Sequence, residues 1–141
     1  MRDFFSDILA VKSINPILGN NTSEGAGTGV DLQGFKGALM LAHIGQSGDT
    51  LSGSVYITVK FQECDTDTPG SYADIADADL SGGANAVVID AAAEDELIVQ
   101  RGYIGSKRWV RVLLAFTGTH TNGTPISAAV IKGLPAHGPA Q

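Results

Sequence analysis

The chain has 141 residues, 43% of them apolar and only 17% charged, with 18 glycines and a net charge of −6. That length suits one domain with a sizeable core, and the acidic balance excludes wholesale electrostatic binding to nucleic acid or to an anionic membrane. The lone cysteine, Cys64, excludes an internal disulfide and leaves little to build a cysteine metal site.

Residues 1–20 form the first unit. Phe4, Ile8 and Val11 could line one side of a short helix, while Ile8, Ala10 and Ile14 fit an extended segment equally well. Asp3 and Asp7 interrupt the apolar character, and the run Ile8 to Val11 is too short for a secretory core or a membrane span. A soluble protein made in a reducing cytoplasm is expected. Asn15-Pro16 ends either structure, so the segment reads as an arm packed on its own domain or on a neighbour. Its large apolar groups, among them Phe4, Phe5 and Ile8, are too many to leave in water. Gly19 to Gly29 is a Gly/Asn/Thr-rich connector; it has no Gly-Lys-Ser/Thr and no strand–loop–helix setting, so a phosphate loop is not supported. The expected division is an arm and connector over 1–25, a β body over 26–134 and a flexible tail over 135–141.

From Val30 onward short β patterns follow one another. Ala38–Ile44, ALMLAHI, reads as a continuously buried strand. Ser54–Glu63 alternates, with Val55, Ile57, Val59 and Phe61 inward. Shorter runs follow at Tyr72–Ile75, Ala86–Ile89 and Leu97–Gln100. The strongest pattern begins at Trp109: Val110, Val112, Leu114 and Phe116 make one apolar face, and Trp109, Arg111, Leu113, Ala115 and Thr117 make the other. The second face is too apolar for plain exposure and too charged for a core, which suits cover by another subunit, by a loop or by the arm. Ile126–Ile131 is the last strand. With turn signals between most strands and no long helix after residue 20, the pattern predicts an all-β, antiparallel β-sandwich, with the jelly roll as one such topology.

No constellation for catalysis stands out. Asp65, Asp67, Asp74, Asp77 and Asp79 crowd two loops but lack EF-hand spacing, and Asp is a common turn residue because it caps local amides. His43, His120 and His137 form no zinc-binding spacing, and no serine sits in a GxSxG setting. No catalytic, cofactor or metal residues are expected, and the chain is not expected to be an enzyme. Arg101, Lys107, Arg108 and Arg111 gather four of the nine cations within eleven positions, preceded by Glu94, Asp95 and Glu96. These groups either pair with each other, across strands or between subunits, or form a docking patch for an acidic protein surface. Together with Trp109, Leu113, Phe4, Phe5 and Ile8, the four cations are the candidate interface residues.

The phrases GTGVDLQGF, IGQSGDTLSGSVYITVKFQE, RGYIGSKRWVRV and TGTHTNGTPISA resemble a family of small virion proteins encoded near the major capsid protein in tailed bacteriophages and related prophage elements. The resemblance spans about residues 27–134. It implies a capsid decoration (cement) protein with a β-sandwich fold, bound to the outside of the shell, often as a homotrimer. The implied partners are the major capsid protein and further copies of the chain, with no nucleic acid or membrane. The family implies no active-site residues. Two other readings stay open: a head-completion or tail structural protein, and a carbohydrate-binding sandwich using Trp109, Tyr103, Tyr72 and Tyr56 as a stacking platform.

Overall fold

A computed structural model describes residues 3–20 and 25–137. Within them the strands are β1 (Ile8–Gly19), β2 (Val30–Asp31), β3 (Phe35–Ile44), β4 (Tyr56–Cys64), β5 (Ala73–Asp74), β6 (Leu80–Ser81), β7 (Val87–Ile89), β8 (Leu97–Tyr103), β9 (Trp109–Thr117) and β10 (Thr124–Pro135). Helical structure among these residues is confined to three single 3-10 turns. Among the described residues no helix is long and apolar enough to cross a membrane.

One sheet runs β1-β10-β3-β8-β6 and the other β2-β9-β4-β5, with β7 on the same flank of β4 as β5. Every pairing is antiparallel. Leaving out the short β5 and β6, the chain alternates between sheets at each step except β4 to β7. The orders β1-β10-β3-β8 and β2-β9-β4-β7 are those of a jelly roll. The expected sandwich is therefore what forms, and strand order, which periodicity could not give, resolves into that topology.

The core lies between the sheets. Met40, Ala42 and Ile44 of β3 and Val130 of β10 face Ile57, Val59 and Phe61 of β4 and Val110 and Val112 of β9, all essentially without solvent contact. The alternation in β4 and β9 thus marks the buried faces as expected, except that Val55, just before β4, stays partly exposed. Phe116 is only half-buried, its ring edge-on to His120 at 5.4 Å between centroids. Between β7 and β5 the flank of β4 has a gap at Phe61, and Asn85 fills it. Its Oδ1 accepts the Phe61 N–H at 2.7 Å, and its Nδ2 donates to the carbonyls of Phe61 and Ile75 at 3.0 and 2.7 Å. A buried ladder position is thereby satisfied by a side chain where no strand runs.

Two expectations change. Ile8–Gly19 is not an arm apart from a body that starts at 26; it is the edge strand of the first sheet, registered on β10 from Ile8↔Gly133 to Gly19↔Thr124. Register shifts at Lys12/Ile14 and Ile14/Ile17 absorb Pro16, which an edge strand tolerates. Val11, Ile14 and Ile17 turn into the core. At the first shift Ser13 is buried, accepts the Val112 N–H at 3.1 Å and donates to the Thr28 carbonyl, so β1 ties the two sheets together along one open side. The glycine-rich connector is also engaged: Gly27 N–H bonds the Val112 carbonyl and Leu114 N–H the Gly25 carbonyl, extending β2 along the edge of β9. The second change is that β3 buries one face only. Ala38, Met40, Ala42 and Ile44 are inside, whereas Leu39, Leu41 and His43 point out.

Candidate interaction surfaces

The candidate residues do not gather on one face. Trp109, Arg111 and Leu113 stand together on the outside of the β9–β4 sheet, all half-buried. Here Arg111 donates through Nε and Nη2 to Gln62 Oε1 at 2.9 and 2.8 Å, and its guanidinium stacks 3.9 Å from the centre of the Tyr72 ring. Gln62 in turn donates to Asp74, which Lys60 also reaches at 2.8 Å. The lysine, then the glutamine, hold the Asp74 carboxyl below its ordinary range. Tyr72 donates to Asp67 at 2.7 Å, and burial together with that acceptor raises its hydroxyl above the usual phenol range. The ring comes so close to Gly29 that a Cβ there would collide with the Tyr72 hydroxyl. The chain itself thus supplies half the cover this face needed.

The cations do not form one patch, and within the chain they do not pair across strands with Glu94, Asp95 or Glu96. Arg108 makes a bidentate pair with Asp31, at 2.8 and 2.6 Å, and lies 5.6 Å from the Trp109 ring. That hydrogen bonding is the main reason the Asp31 carboxyl is held low. Lys107 reaches Asp65 at 2.7 Å. Arg101 belongs to β8 of the other sheet and donates to the carbonyls of Ala84 and Gln100. Glu94 instead accepts the Asp90 N–H and Asp95 the Ser47 N–H, as loop caps. Tyr103 is buried, its hydroxyl donating to Glu63 at 2.5 Å, and desolvation followed by that carboxylate raises it. With Tyr103 buried and Tyr72 beneath a guanidinium, neither ring is presented to a sugar.

The first sheet has the more apolar outer face, and the sequence reading passed over most of it. Its rows can be read from the register: Ile8–Gly133–Gly37, then Ala10–Ile131–Leu39–Gly102, then Lys12–Ala129–Leu41–Gln100, then Ser127–His43–Ile98. Across these rows the only formal charge is Lys12, at the edge. Ile98 is 59% exposed. At one end Leu134 lies at φ 55, a left-handed conformation that costs a non-glycine residue about 1–2 kcal/mol. It is 67% exposed, with its side chain in van der Waals range of a Cβ built on Gly37. Phe4 and Phe5 lie just before Ile8, at the same end, 71% and 67% exposed.

Elsewhere, Asp49 accepts the N–H groups of Thr121, Asn122 and Gly123, which keeps its carboxyl below the ordinary range, and it sits 3.9 Å from buried His120. This pins the β9–β10 loop; it is an architectural contact. No group of three or more metal-ligating side chains is assembled among the described residues.

The crystal structure of SPBc2 prophage-derived protein YomS matches this fold with a TM-score of 0.50, over 89% of this chain and 92% of that one, at 14% identity. The likeness is one of fold. No family model matches the sequence, and no curated protein does.

Proposed function

We propose that this chain is a structural, non-catalytic virion protein that binds the outside of a phage capsid and stabilises it, as a homotrimer. The observation that carries the reading is the likeness of fold, over nearly the whole length of both chains, to a prophage-derived protein. The sequence phrases from residue 27 to 134 favour the same class, and jelly rolls are a common shell architecture. A cement needs many modest contacts repeated around a lattice rather than one deep site. Two unlike outer faces, one nearly uncharged and one carrying Arg111, Gln62, Lys60 and Asp74, suit that work, and the major capsid protein is the partner we assign to the second.

The test is co-sedimentation with expanded heads lacking this protein. Saturable binding, in multiples of three copies per symmetry position, is the expected result. Absence of binding to expanded heads, with binding instead to isolated tails or to portal-containing ends, would replace this reading with a tail or head-completion role.

A further inference from the structure

We infer that the outer face of the first sheet, centred on Leu39, Leu41, Ala129 and Ile131, is where the chain associates with a second copy of itself. The inference rests on the reading above for the existence of an oligomer and names the surface behind it.

Three observations favour a second copy over solvent. The first is charge. A chain of net charge −6 repels its own kind, yet this face carries no acidic side chain in its rows and one lysine at its edge. The outer face of the other sheet, by contrast, is laced with ion pairs and amide bonds. A neutral apolar face is the surface on which two like-charged molecules can meet without opposing charge. The second is size. Strand spacing and rise give the four rows a footprint of about 400 Å². Exposed Phe4 and Phe5 at the rim add about 150 Å² each on the scale of aromatic side chains, and Leu134 adds more. The sum approaches the roughly 800 Å² per partner of a stable complex. The third is shape. Gly37, Gly102, Gly133, Ala10 and Ala129 set small side chains around Ile131, Leu39 and Leu41, so that a second copy can approach closely between them. Leu134, in a left-handed conformation, places its exposed side chain beside Gly37 at the end of this surface.

The full chain and two variants, Leu41→Lys and Ala129→Glu, would be compared by sedimentation velocity, with far-UV circular dichroism and thermal unfolding as folding controls. Val88→Lys, on the outer face of the opposite sheet, is the reference substitution. The expected result is a wild-type oligomer that both face variants reduce to the 14.5 kDa monomer, with self-association at least tenfold weaker, an unchanged spectrum, and Val88→Lys behaving as wild type. If folded face variants keep the wild-type mass, or if wild type is monomeric throughout the micromolar range, the inference is overturned. Face variants that keep their mass but lose binding to heads would assign this face to the capsid protein instead, also overturning it. Dissociation of the face variants when no form binds heads would uphold this surface and remove the decoration reading.

Discussion

At the residue scale, the most instructive side chain is Asn85. Its three hydrogen bonds stand in for the strand missing beside Phe61. The sequence around it, Gly-Gly-Ala-Asn-Ala, reads as a turn, because the partners lie ten and 24 residues away. Asn85→Ala leaves the Phe61 N–H and the Ile75 carbonyl buried without this partner. At about 1–3 kcal/mol for each of the two unsatisfied groups, it is expected to lower stability by roughly 2–6 kcal/mol. Urea unfolding reads this as a lower midpoint at unchanged slope; a loss below about 0.5 kcal/mol would mean water replaces the amide. The cations teach the same lesson. Arg108 and Asp31 are 77 positions apart, so clustering along the chain suggested a patch where folding distributes the charges among separate partners.

At the scale of elements, the legible strands were those with one face buried and one wet. β4 alternates from Tyr56 to Gln62 and β9 from Trp109 to Ala115, and that pattern alone marks their buried sides. β3 misled because Leu39 and Leu41 are as apolar as Met40 and Ala42. A continuous apolar run says that both faces dislike water, but not that this chain covers both. β1 misled differently, since Phe4, Ile8 and Val11 fit a helical spacing and Pro16 looks like a terminator. Pairing with β10 along an edge overrides both signals. A detachable arm could be removed with the body left intact; an edge strand cannot. Deleting residues 1–20 strips Val11, Ile14 and Ile17 from the core and Ser13 from its bridge to Val112. The truncated protein is expected to lose its cooperative thermal transition or to become insoluble. A truncated chain that melts near the wild-type temperature would show that β1 contributes little to the fold.

At the scale of the whole molecule, the sandwich presents two unlike outer faces. The β9–β4 face is partly roofed by Tyr72 and stitched by Arg111, Gln62, Asp74 and Lys60. The β3–β10 face is nearly uncharged. A protein that must bind both its own copies and a shell can divide the two tasks between such faces: the uncharged one for like-charged copies, and the polar one for a partner with complementary groups. Sequence could place Trp109, Arg111 and Leu113 on a shared face. It could not compare that face with the other, because the comparison needs the register of four strands. Electron cryomicroscopy of heads saturated with the purified protein tests the account most directly. Jelly-roll density on the outer surface of the shell is predicted, with copies meeting through the β3–β10 face around three-fold positions. Density confined to the portal or tail, or single copies whose β3–β10 face is open to solvent, would contradict it.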